Sequence, residues 1–210
     1  MSVKKIIALL AVILPLLASC ADAEAPAVSV DPNKKAYGFE GGSLSAAVTT
    51  NGDWVAECDN EEISIVPSSG SGDAAVRIEI PASTKKETEA VIINFTTSKT
   101  VRDTLKTRKA KLVITREAMP FIDLSANEGY ISPAGGGFLL NVTANHDWTA
   151  TAPNPIAGLV VKPSESTFNS QVTVSLPGNE TGAARSCDII FSLKQHPDAK
   201  ATVTVRQNPQ

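Results

Sequence analysis

The chain has 210 residues, a formal net charge of −3 and a pI near 5.5, and aromatic residues make up only 5% of it. This acidic balance argues against a nucleic-acid partner, because such partners bind basic protein surfaces. The length is enough for two domains of common size.

The first residues have the pattern of an export signal. A positively charged start is followed by an apolar run at positions 6–17, which is too short for a transmembrane helix. The run ends in Leu-Ala-Ser-Cys20, which resembles the lipobox of bacterial lipoproteins. The resemblance implies cleavage before Cys20 and lipidation of that cysteine. We therefore expect residues 1–19 to be a signal peptide and residues 20–26 a lipidated tether.

The residue after the cysteine bears on localisation. It is Ala21 rather than Asp, and the sorting rule of lipoproteins then favours the outer membrane. We expect a protein that is anchored there through the lipid on Cys20, on either the surface or the periplasmic face. An ordinary secretory signal with a chance cysteine is the alternative.

The rest of the chain is an internal repeat. Gly41-Gly42 come before an alternating segment and the motif Asn51-Gly-Asp-Trp54, and the same order recurs 94 positions later, ending in Asn145-His-Asp-Trp148. Such a repeat indicates two copies of one domain. We place the copies at residues 27–118 and 119–210.

Nearly every matched segment alternates apolar and polar residues with period two, as in Val76-Arg-Ile-Glu-Ile80. This period predicts β-strands with one buried face, and clusters of Gly, Pro, Asn and Ser between them predict turns. We expect about seven strands in each copy. The fold class is therefore all-β, with two tandem β-sandwich domains after the cleaved signal peptide.

The order of motifs resembles the Bacteroidetes-associated carbohydrate-binding, often N-terminal (BACON) domain. Copy two matches better, with Gly135-Gly136, Asn145-His-Asp-Trp148 and a final Val203-Thr-Val205-Arg-Gln207, whereas copy one ends in Ile114-Thr-Arg-Glu117 without the Gln. The resemblance implies an immunoglobulin-like sandwich, a Bacteroidetes-type cell envelope, and polysaccharide or glycan-system envelope proteins as partners.

Sugar-binding faces need exposed aromatic rings beside hydrogen-bonding groups. Trp54 and Trp148 occupy equivalent positions, which favours a shared core anchor over a ligand platform. Tyr37, Tyr130 and Phe168 lie in loop-like stretches and are the candidate ligand contacts. If these three rings converge on one patch, sugar binding is favoured; if they are buried or dispersed, a spacer is favoured.

The sequence offers no catalytic constellation. His146 and His196 lie in different predicted loops, away from any nucleophile or zinc-binding pattern. We expect no enzyme activity, no cofactor and no metal site. Cys187 aligns with an alternating apolar position and is expected to be a small buried residue; a disulfide with Cys58 is the alternative.

Copy one also has a longer last hairpin, residues 98–111. It carries six cations in an otherwise acidic chain: Lys99, Arg102, Lys106, Arg108, Lys109 and Lys111. One interpretation is a solvated hairpin whose lysines protect a sheet edge, and another is a docking surface for an acidic partner, a polysaccharide or lipid headgroups.

Two functions follow from these patterns. The first is a non-catalytic, lipid-anchored envelope protein with a carbohydrate-associated binding or display role. The second is a structural spacer or protein-interaction lipoprotein that binds no glycan.

Overall fold

The computed structural model describes residues 24–210. The signal peptide expected at 1–19, the lipidation site Cys20 and most of the tether expected at 20–26 lie outside the described residues. Every regular element within 24–210 is a β-strand. No helix in this range has the length and apolar character that a membrane span requires.

The strands form two sets of nine. The first set is β1 Val28–Asp31, β2 Lys34–Tyr37, β3 Gly42–Thr50, β4 Asp53–Cys58, β5 Ser64–Val66, β6 Ser69–Ser71, β7 Ala74–Ile80, β8 Glu89–Val101 and β9 Thr104–Arg116. The second set is β10 Ile122–Leu124, β11 Glu128–Ile131, β12 Gly135–Ala144, β13 Trp148–Thr151, β14 Val160–Lys162, β15 Glu165–Ser166, β16 Ser170–Pro177, β17 Arg185–Leu193 and β18 Lys200–Gln207.

Each set builds a two-sheet sandwich with the same topology. The sheet orders are β1-β3-β7-β5 and β2-β9-β8-β4-β6 in the first, and β10-β12-β16-β14 and β11-β18-β17-β13-β15 in the second. Inward-facing apolar residues alternate with exposed ones, as period two predicts. The two sandwiches have separate hydrophobic cores. The prediction of an all-β chain with tandem immunoglobulin-like sandwiches is confirmed.

Nine strands per sandwich exceed the seven that the sequence predicts. The additional ones are short: β6 and β15 span three and two residues, and β2 and β11 four each. β2 has the sequence Lys-Lys-Ala-Tyr and no apolar alternation, yet it pairs in parallel with β9 near the far end of the same domain sequence. Local periodicity cannot reveal a pairing of this kind.

The sandwiches meet head to tail. We call the end at which the chain enters a sandwich its N-terminal pole and the opposite end its C-terminal pole. Phe39 at the C-terminal pole of the first contacts His196 at the N-terminal pole of the second, with ring centroids 5.2 Å apart. Lys86 of the first also pairs with Asp123 of the second. These contacts join opposite poles, so the two sandwiches lie in series.

Candidate functional site

The duplicated Asn-x-Asp-Trp motif serves the scaffold. The side chain of Asn51 accepts a hydrogen bond from the amide of Ala27 at 2.9 Å and donates one to the carbonyl of Ala25 at 2.8 Å. Asn145 makes the same two bonds in the second sandwich. Each asparagine therefore fixes the incoming chain against the turn between the third and fourth strands of its own domain.

Both tryptophans are buried in the cores. The exposed fraction is 1% for Trp54 and 0% for Trp148, and each ring lies against a buried phenylalanine. Their indole N–H groups donate to the carbonyls of Gly72 at 3.1 Å and Phe168 at 2.8 Å. A ring that is enclosed in this way has no free face on which a sugar could stack.

The three candidate ligand contacts differ in exposure. Tyr37 is half-buried against the first core, and its hydroxyl donates to the carbonyl of Ser43 at 3.0 Å. Tyr130 and Phe168 are exposed, at 69% and 58%. Only the latter two rings present a free face to solvent.

Tyr130 and Phe168 lie at opposite ends of one sheet. Tyr130 is level with Ser186 of β17, across the intervening strand β18. The Phe168 carbonyl is bound by Trp148, which is level with Leu193 of β17. Seven residues of an extended strand span about 23 Å. The three rings therefore do not form one platform.

Tyr130 has polar neighbours that suit a ligand site. Its hydroxyl donates to Glu128 Oε2 at 3.2 Å, and Arg206 Nη2 donates to Glu128 Oε1 at 3.1 Å. A shallow depression beside the ring is also lined by Arg185 and Asn208. The ring offers a stacking face, and the carboxylate, guanidinium and amide offer hydrogen bonds to hydroxyl groups.

This cluster belongs to the second sandwich alone. In the first sandwich, Ala36 stands at the position of Tyr130, and Lys34 and Thr115 stand at those of Glu128 and Arg206. The shared fold therefore does not require the cluster.

The first sandwich also contains a buried polar cluster that the sequence patterns did not predict. Arg116 at the end of β9 is fully buried, and its guanidinium donates to Glu89, to Glu62 at 3.0 Å and to the carbonyl of Pro81 at 2.8 Å. Hydrogen bonds to Glu89 from Lys85 first, and then from Arg116, outweigh desolvation and hold the pKa of Glu89 below its usual value.

The second sandwich has a different pair of polar residues at the equivalent position. Gln207 replaces Arg116, and Arg185 replaces Glu89. Arg185 Nε donates to Gln207 Oε1 at 2.9 Å, and Gln207 Nε2 donates to the carbonyl of Pro177 at 3.0 Å. Copy one therefore lacks the Gln because a Glu–Arg pair takes the place of the Arg–Gln pair at this pole. The sequence did contain one sign of this cluster, which is an arginine at an inward-facing position of a strand.

The histidines and cysteines form no reactive arrangement within residues 24–210. The rings of His146 and His196 lie 5.0 Å apart, edge to face, at the junction of the sandwiches. No group of three or more metal-binding side chains occurs in the described range. Cys187 is buried and Cys58 half-buried, and neither forms a disulfide. Burial also raises the pKa of the Cys58 thiol, which disfavours the reactive thiolate.

Comparison with known proteins supports the fold. Neither a family model nor a curated protein sequence matches the chain. It is similar to the extracellular cadherin domains 1–4 of protocadherin gamma B7, with 10% identity and a TM-score of 0.52 over 90% of this chain and 51% of that one. The chain thus spans about half the length of that structure.

Two further solved structures are similar at lower TM-scores. Protocadherin gamma B2 extracellular cadherin domains 1–5 match with 9% identity and a TM-score of 0.49 over 90% of this chain and 40% of that one. The titin domains Z1Z2 match with 12% identity and a TM-score of 0.33 over 89% of this chain and 97% of that one. The strand order, the two sheets per sandwich and the separate cores are what make the described chain an all-β protein of tandem immunoglobulin-like sandwiches.

Proposed function

We propose that this chain is a non-catalytic, lipid-anchored spacer of the outer membrane, in which two BACON-like sandwiches hold a distal surface away from the bilayer. The observation that carries this proposal is the head-to-tail junction. Five residues separate β9 from β10, and a linker this short limits the relative motion of the domains. The contacts of Phe39 with His196 and of Lys86 with Asp123 support the same arrangement.

Two measurements test the spacer. Mass spectrometry of the protein from its native envelope should find acyl chains on Cys20, and Cys20→Ser should release the protein from membranes. Small-angle scattering of residues 24–210 should give an elongated particle about two sandwiches long. An unmodified Cys20 or a broad distribution of interdomain distances would refute the proposal.

Glycan binding at Tyr130 is a second candidate function. It is favoured by the exposed ring beside Glu128 and Arg206, a cluster that the fold itself does not need. The site contains one ring rather than a platform of three, which suits a weak contact with a single sugar unit. In the spacer arrangement this cluster lies at the C-terminal pole of the second sandwich, far from the anchor.

A glycan array or affinity-gel screen of residues 24–210 tests this candidate. Tyr130→Ala should abolish any retardation, and Phe168→Ala is the matched control because it removes another exposed ring from the other end of the sheet. Loss of binding with Tyr130→Ala alone would support the site. Absence of binding to every glycan would leave the spacer as the function, and equal loss with both variants would reject Tyr130 as the contact.

A further inference from the structure

The first sandwich carries a hairpin that extends beyond its sheet. β8 and β9 stay paired as far as Val101 and Thr104, whereas the neighbouring strand β4 ends its pairing with β8 at Thr97. The four residues that follow Thr97, ending at Val101, project the tip about 14 Å past the sheet. We call residues 98–111 the basic hairpin.

The charge of the basic hairpin is unbalanced. It contains six cations and one acid, a net charge of +5 in a chain of net charge −3. Lys99 and Lys106 are directly opposite each other, and like charges in that position destabilise a strand pair. Among the described residues, neither these lysines nor Arg108 has a carboxylate within 4.0 Å.

The tip also exposes an apolar side chain. Leu105 is 67% exposed and lies opposite Thr100 on the other face from Lys99 and Lys106. A projecting element with a cationic face and one exposed leucine has the composition of segments that bind the interface of anionic membranes.

The second sandwich shows which direction this hairpin faces. Its equivalent hairpin, β17–β18, is five residues shorter overall, and the loop that joins these two strands carries His196, which contacts Phe39 of the first sandwich. The hairpin pole of the second sandwich is therefore the pole that meets the preceding part of the chain. In the first sandwich, the preceding part of the chain is the tether.

The tether enters at the same pole as the basic hairpin. Ala25 is bound by Asn51, and the adjoining Asp53 carbonyl accepts a hydrogen bond from Thr97 at 2.7 Å, at the base of the hairpin. Cys20 is five positions before Ala25, so its Cα lies at most about 18 Å away. This reach is similar to the projection of the hairpin. A lipid on Cys20 would therefore keep the hairpin pole near enough to the bilayer for the hairpin tip to reach the headgroup layer.

We propose that the basic hairpin docks on the anionic phospholipid headgroups of the membrane that carries the anchor, with Leu105 entering the interface. This inference rests on the proposed lipid anchor for its geometry. Docking would offset the repulsion between Lys99 and Lys106, and it would add a second membrane contact to the lipid. Two contacts at one pole would hold the sandwiches upright, whereas a single lipid contact would let them pivot.

Vesicle binding of residues 24–210 tests the proposal without the lipid. This range contains every described strand and both cores, so it retains the folded unit. The probes are vesicles of phosphatidylglycerol mixed with phosphatidylcholine and vesicles of phosphatidylcholine alone, compared by co-sedimentation. We expect binding to the anionic vesicles only. Binding should weaken as ionic strength rises from 0.01 M to 0.15 M, because the Debye length falls from about 30 Å to about 8 Å.

The decisive variant replaces Lys99, Lys106 and Arg108 with Gln. Each basic residue near an anionic surface contributes about a fivefold gain in partition, so the triple variant should bind roughly 100-fold more weakly. The matched control makes the same charge change on exposed cations of the second sandwich, Lys162, Lys194 and Lys200. That control should retain nearly all binding.

Equal binding by the hairpin variant and its control would overturn the inference, as would equal binding to neutral vesicles. Stronger binding to an acidic polysaccharide than to the anionic vesicles would also overturn it, since the hairpin would then have a different partner. The urea midpoint of the hairpin variant checks that the variant is folded. Since the variant removes the repulsion between Lys99 and Lys106, we expect this midpoint to stay the same or rise. An unmodified Cys20 would refute the anchor while leaving vesicle binding measurable, so the two failures are distinguishable.

Discussion

Replacing Arg116 with Gln should destabilise the first sandwich strongly. The Arg116 side chain is 1% exposed and Glu89 is 15% exposed, so their ion pair is shielded from water. Removing one partner of a buried pair costs about 3–5 kcal/mol, because the other charge loses its partner. Glu62 is 46% exposed, so its ion pair with Arg116 contributes little to the stability of the domain. We expect a loss of about 3 kcal/mol in the free energy of unfolding of this domain.

The second sandwich provides a double-variant test of the same reasoning. Glu89→Arg combined with Arg116→Gln reproduces the Arg185–Gln207 pair, whereas Glu89→Arg alone places two arginines together. Neighbouring residues that share an interaction have non-additive effects. The double variant should therefore be more stable than the sum of the single effects by at least about 1 kcal/mol.

Urea unfolding followed by tryptophan fluorescence measures this prediction. In a Trp148→Phe background, Trp54 reports on the first sandwich alone. Arg77→Gln is the matched control, because it breaks an ion pair with Glu79 that is 72% and 45% exposed; its effect should stay below about 1 kcal/mol. Additive effects in the double variant, or an Arg116→Gln effect no larger than the control, would refute the account of this pole.

Three other predictions test separate parts of the structure. Because the pKa of Glu89 is depressed in the folded state, its stabilisation is complete above about pH 4.3 and is lost as the pH falls through the folded pKa; Glu89→Gln should flatten the acid limb of stability against pH. Asn51→Ala and Asn145→Ala should each cost about 1–3 kcal/mol in urea unfolding, since each leaves a backbone amide and carbonyl without a partner; a much larger effect in one domain would contradict their equivalence. Phe39→Ala should broaden the interdomain distance distribution in small-angle scattering while leaving both unfolding transitions in place.

The scaffold could be predicted because its sequence patterns involve neighbouring residues and occur in both copies. Period-two alternation predicted the strands, and the tryptophans at one repeated position indicated core anchors. The spacing between Asn and Trp is the same in both copies, Asn51 to Trp54 and Asn145 to Trp148. This repeated spacing reflects a shared geometry, since each asparagine binds the incoming chain of its own domain.

The parts that the sequence did not reveal depend on pairing between distant segments. Tyr130 meets Arg206 only because β11 joins β18 in parallel, and no local pattern predicts that contact. Arg116 meets Glu89 only in the β8–β9 register. The direction of the basic hairpin likewise depends on which pole receives the tether.

Energy transfer to acceptor lipids in the bilayer tests the central claim, that the chain stands on its hairpin pole, most directly. The lipidated protein would carry a donor at Leu105→Cys in the hairpin or at Asn208→Cys beside the Tyr130 depression, in a Cys58→Ser background. Two sandwiches in series, each with strands of about 30 Å, place the second donor roughly 60 Å from the first. We predict strong transfer from position 105 and weak transfer from position 208. Equal transfer from the two positions, or stronger transfer from position 208, would contradict the account.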